Sequence, residues 1–98
     1  MPVYAIIEIK ILDEGHYFAY VKNIHSIVEH YNGRYLVRGG KITRMFGDWN
    51  PERIIVIEFP SIEDLTSCLG FDEYKKIAPL RERSTITKSI IVEGCSME

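Results

Sequence analysis

The run Ile54-Ile55-Val56-Ile57-Glu58-Phe59 sets the strictest condition on what this chain can fold into. Its first four residues are β-branched, which favours a strand over a helix, and they are apolar at odd and even positions alike. A strand turns successive side chains to opposite faces, so this one presents Ile54 and Val56 on one side and Ile55, Ile57 and Phe59 on the other. Both faces need cover, and the segment Arg53 to Phe59 therefore reads as a central strand. The chain has 98 residues, which suits one domain with one core. A domain of that size hides only about 60–65% of its extended surface, so extra burial through a partner would help.

The flanking segments supply the other elements. Val3, Ala5, Ile7, Ile9 and Ile11 alternate with Tyr4, Ile6, Glu8 and Lys10, which predicts a first strand. Asp13 then offers an N-cap, and Tyr17, Tyr20, Val21, Ile24, Val28 and Tyr31 recur at three- and four-residue intervals up to the stop Asn32-Gly33. Tyr35 to Phe46 alternates weakly around Gly39-Gly40, which predicts a long edge strand with a bulge, followed by a turn at Gly47 to Pro51. After Pro60, Ser61 with Glu63 and Asp64 starts a second helix near Ile62 that Gly70 breaks. Asp72 starts a further helical segment through Tyr74 and Ile77, and Pro79 opens another that runs to about Ile86. Ser89 to Glu93 closes as the last strand, leaving Gly94 to Glu98 as a loose tail of the single domain 1–98.

The order βαββαβ predicts an α+β chain in a split βαβ arrangement: a four-stranded antiparallel sheet, strands one and three central, both helices on one face. The other face is then bare. Ile54, Ile55, Val56 and Ile57 cannot all be covered from one side, so a second copy packed sheet to sheet is expected, in a closed two-fold homodimer. Trp49 is too large and apolar to be left to solvent in its turn, and it is expected at that interface.

Composition narrows the function classes. With 46% hydrophobic and 27% charged residues the chain is an ordinary globular one rather than a disordered tail or a disulfide miniprotein. A formal charge of -2 gives no electrostatic case for nucleic acid or for an anionic membrane. Cys68 and Cys95 form no CxxC, and His16, His25 and His30 form no i, i+4 pair or HExxH, so neither a metal site nor a dithiol centre is expected. No glycine-rich nucleotide fingerprint and no GxSxG nucleophile elbow is present, and no cofactor is expected. The N-terminal apolar run meets Glu8 and Lys10 too early for a signal peptide, and no run reaches the ~20 residues of a membrane helix. The expected setting is the cytoplasm, with both thiols reduced.

The run Gly33-Arg34-Tyr35-Leu36-Val37-Arg38-Gly39-Gly40, with Gly47-Asp48-Trp49, Glu58-Phe59-Pro60-Ser61 and Glu73-Tyr74 in the same order, resembles the domain-of-unknown-function family 1330. The resemblance spans nearly the whole chain, to Val92-Glu93-Gly94. It implies the ferredoxin-like dimeric α/β barrel superfamily, in agreement with the element order, and no established activity. This chain carries Cys68, Leu69 and Phe71 where the family often has a Trp-Tyr pair.

Arg38 before two glycines pairs a guanidinium with accessible backbone N–H groups, a combination suited to a carboxylate or phosphate. A surface arginine beside a bulge is the simpler alternative. A helix after Tyr74 could aim both Tyr74 and Arg81 toward the sheet and add a neutral donor and a forked cationic one; an exposed helical Arg81 paired with Glu82 or Asp72 is the simpler alternative. His25 falls at the flank of the apolar stripe, where it could line a cleft. The segment Arg34 to Pro60 holds five basic and three acidic residues, whereas the segments on either side are each two units acidic, so an anion is best received there. Glu8 and Glu58 interrupt neighbouring strands and could meet as an acid/base pair or take Lys10, Arg44 or Arg53 as partners. Two readings follow. One is binding of, or action on, a small anionic or aromatic molecule in a cleft between helices and sheet, through Arg38, Tyr74, Arg81 and His25. The other is a non-catalytic dimeric assembly module.

Overall fold

The alternation from Val3 to Ile11 is realised as strand β1 (Val3–Ile11), and Asp13 caps helix α1 (Glu14–His30) by accepting a hydrogen bond from the His16 backbone N–H. In this computed structural model, which describes residues 1–95, the chain continues through β2 (Arg34–Arg38), β3 (Arg53–Phe59), α2 (Ile62–Gly70), α3 (Asp72–Ser84) and β4 (Thr85–Glu93). The sheet order is β2-β3-β1-β4, every neighbouring pair antiparallel. Among the described residues the helices lie on one side only, which gives the chain a ferredoxin-like fold. Of the expected tail, Gly94 is tied down by donating its N–H to the Pro2 carbonyl at 2.8 Å, and 96–98 lie outside the described residues. Among the described residues no helix is long and apolar enough to cross a membrane.

The turn from α1 into β2 follows from local chemistry. Asn32 takes the left-handed conformation with φ 65°, and the Gly33 N–H reaches back to the Val28 carbonyl at 2.9 Å. Gly33 is buried against Val28 and Phe59, and a Cβ there would overlap both side chains. Tyr17, Val28, Ile55, Ile57, Phe59, Leu65 and Cys68 form the core between this helix layer and the sheet.

Strand β3 divides as its alternation dictates. Ile55, Ile57 and Phe59 are buried beneath the helices, so Ile55 and Ile57 belong to the core and are not available to a sheet-to-sheet contact. Ile54 and Val56 face the open side. There the register aligns Val37, Val56, Ile6 and Ile90 in one row across all four strands, with Val37 41% and Ile90 60% exposed.

Three expectations about boundaries are corrected. Strand β2 stops at Arg38, because Gly39 turns left-handed with φ 68° and the chain from 39 to 52 leaves the sheet. Pro79 lies inside α3 rather than opening a new helix. Pro79 and Lys75 are both exposed, so solvent can take the Lys75 carbonyl that the proline leaves without a donor. Strand β4 begins at Thr85, not Ser89. The hydroxyls of Ser84 and Thr85 donate to the carbonyls of Leu80 and Arg81, and Leu12 and Asp13 donate their N–H groups to the Ser84 carbonyl. These bonds satisfy the helix end, and the chain passes into the strand with no loop.

Candidate functional site

Small side chains decide where the helices stand off the sheet. On the inner face of the sheet, Ala5 lies in β1 while Thr87 and Ser89 occupy β4 opposite Ile9 and Ile7. These residues border a cavity of about 330 Å³ beneath α1 and α3. Its walls are mostly aliphatic and aromatic, and its polar groups come from few positions. Arg38, His25, Tyr74 and Arg81 all line it, so four side chains from β2, α1 and α3 that the sequence marks separately meet at one space.

Arg53, at the start of β3, also lines the cavity, where the sequence suggests only a partner for a glutamate. Its Nε donates to the Tyr17 hydroxyl at 3.2 Å, with the guanidinium 5.7 Å from the centre of that ring. The same guanidinium lies against Gly39, where a Cβ would overlap it. Arg38, two strand positions away on β2, stands 5.1 Å from the centre of the Tyr35 ring and 3.4 Å from the His25 ring nitrogens. His25 meets Tyr35 edge-on at 5.0 Å. The signal for Arg53 was present in the register: it opens the central strand at two-residue spacing from Ile55 and Ile57, so it shares their inner face.

The charge pattern is one-sided. Three arginines and a histidine line the cavity, and among the described residues that line it there is no aspartate or glutamate. Among the described residues Arg38, Arg53 and Arg81 make no salt bridge either, the three ion pairs being His16–Asp13, Arg34–Glu58 and Lys76–Glu73. Burial lowers the His25 pKa below its ordinary value, and the positive charges of Arg38 and Arg53 add to that shift. Burial opposes the charge of Arg81, but the phenols of Tyr74 and Tyr20 outweigh it and hold its pKa above the ordinary value. Burial raises the phenol pKa values of Tyr20 and Tyr35 and pushes the Cys68 thiol up to about 11, so at neutral pH these groups are neutral. The cavity is thus an apolar space with fixed positive charge and neutral donors, an arrangement that receives an anion.

Other candidates are dispersed. Glu8 lies opposite Ile54 and Glu58 opposite Tyr4, four positions apart, or about 13 Å along the strand, so no acid/base pair forms. Glu58 instead accepts from Arg34 and from the Tyr4 hydroxyl, each at 2.9 Å. Trp49 donates its indole N–H to Glu8 at 3.0 Å and stays 59% exposed. Among the described residues no group of three or more His, Cys, Asp or Glu is placed to hold a metal ion.

Comparison with solved structures places the chain among proteins of this fold. A protein of unknown function from Rhodopseudomonas palustris matches with a TM-score of 0.83 at 14% identity, covering 97% of this chain and 83% of the other. SnoaB, a cofactor-independent oxygenase from Streptomyces nogalater, matches with a TM-score of 0.68 at 6% identity, covering 98% and 95%. A hypothetical Arabidopsis thaliana protein matches with a TM-score of 0.69 at 13% identity, covering 99% and 91%. At such identities the likeness is one of fold. No curated protein matches the sequence. The model of the domain of unknown function DUF1330 matches residues 2–95, and the chain belongs to that family.

Proposed function

We propose that this protein binds a small anionic, aromatic molecule in the cavity between its helices and its sheet, and that it does so as a homodimer. The observation that carries the reading is the unbalanced charge: guanidinium groups of Arg38, Arg53 and Arg81 around an apolar space of about 330 Å³ with no carboxylate among the described residues that line it. Arg53 and Arg81 are partly buried and Arg38 is exposed; partly desolvated cations without a counter-charge are costly, and a bound anion supplies the missing partner. The volume suits a compact ring system, and the rings of Tyr17, Tyr20, Tyr35 and Tyr74 offer it aromatic surface. The fold shared with a cofactor-independent oxygenase is compatible with chemistry on such a molecule, but binding is what the side chains support. Two free thiols, Cys68 and Cys95, suit a reducing cytoplasm.

Support for the homodimer comes from the open face, where the row Val37, Val56, Ile6 and Ile90 would cost solvent exposure in a lone subunit. A thermal-shift panel of aromatic carboxylates, phenols and amines against wild type and Arg38→Ala tests the binding claim. Carboxylates should raise the wild-type Tm more than amines of the same shape, and Arg38→Ala should lessen the gain. Equal responses to acids and amines overturn it. Light scattering tests the dimer, which should show twice the chain mass at micromolar concentration.

A further inference from the structure

We propose that the ligand carries two acidic groups, one at each end of an aromatic core. This rests on the anion-binding reading above and adds the number and placement of the ligand's charges. The arginines of the cavity fall into two groups. Arg38 and Arg53 come from β2 and β3, in one half of the sheet, and Arg38 stands against His25. Arg81 comes from α3, which runs directly into β4, the edge strand of the other half, and lines the cavity together with Tyr74 and Tyr20.

In neither group does a carboxylate among the described residues pair with the guanidinium. Arg53 is set by the Tyr17 hydroxyl and ring and Arg38 by the Tyr35 ring, while Arg81 shares its stretch of the cavity wall with Tyr74 and Tyr20. A tyrosine fixes the orientation of the cation and leaves its charge uncompensated. A single acid group would satisfy one site and leave the other cation desolvated behind the ligand's apolar body. A diacid satisfies both, with the ring between them against the aliphatic floor of Ala5, Ile7 and Ile57. Arg53 is held further by Gly39, which has no side chain to displace it. Its fork matches a carboxylate bidentately in a way a lysine cannot.

Calorimetric titration at low salt tests this with terephthalate and its longer biphenyl homologue, each against the monoacid and the monomethyl ester. The better-fitting diacid should bind at least about ten-fold more tightly than its monoacid and its ester. Arg81→Met and Arg53→Met should each bring the diacid down to the level of the monoacid. Because Arg53→Met also strips the buried Tyr17 hydroxyl of its partner, Arg53→Lys serves as a second variant: it keeps the charge, loses the fork and should lose most of the preference. Equal binding of diacid and monoacid to the wild type overturns the inference and leaves the anion site intact. If neither binds nor raises the Tm, the reading of the cavity as an anion site falls as well.

Discussion

The guanidinium of Arg53 occupies the space that a side chain on Gly39 would fill. One left-handed glycine thus ends β2 and seats the cation that reaches the cavity from β3, so sheet boundary and binding group are a single feature.

Gly39→Ala therefore combines backbone strain at φ 68° with displacement of Arg53. The strain costs about 1–3 kcal/mol, which at this chain length lowers Tm by at least about 4 °C. Affinity for aromatic acids should fall with it. Gly40→Ala is the control, since a Cβ there meets nothing within 4 Å and should leave both properties nearly unchanged. Scanning calorimetry and titration on the two variants read the difference.

The two faces of β3 should respond differently to the same change. Ile57 is buried beneath the helices, and Ile57→Ala should cost about 2–5 kcal/mol of folding stability. Val56→Asp puts its charge on the open face, where a lone subunit can hydrate it and a packed sheet pair cannot. It should yield a folded monomer by light scattering and circular dichroism. A Val56→Asp protein that remains dimeric would count against sheet-to-sheet packing.

His25 gives a pH dependence of fixed sign. Its pKa lies below the ordinary 6.5 because burial, Arg38 and Arg53 disfavour the imidazolium, with Glu29 acting the other way. The unfolded chain then binds more protons between the two values, so the contribution of His25 to stability is full above about pH 6.5 and declines as pH falls toward the folded value. A bound anion reverses the local field and raises the His25 pKa. Binding should take up a proton on the acid side of pH 6.5, measured as a dependence of the titration enthalpy on buffer ionisation. His25→Gln should abolish the uptake.

Much of this layout is legible in the sequence, for reasons that differ by element. The double-faced β3 and the stripe from Tyr17 to Val28 announce themselves through period, because burial on a sheet or a helix leaves no other pattern. Arg38, His25, Tyr74 and Arg81 could be singled out by type, while their convergence depends on how far the helices stand off Ala5, Thr87 and Ser89, which tertiary packing decides. The abrupt passage from Ser84 into β4 was hidden because two hydroxyls, rather than a glycine, close the helix. The end of β2 was hidden because Tyr35 to Phe46 keeps a weak alternation past the point where Gly39 has turned the chain away.

The most direct test of the cavity as an anion site is a spectrum of the arginine Nε–H groups during titration with benzoate. At least one of Arg38, Arg53 and Arg81 should shift and saturate with a single Kd, while Arg34, paired with Glu58 on the open face, and the exposed Arg83 stay in place. Arginine signals that all drift together without saturating, or that do not move at all, would contradict the account.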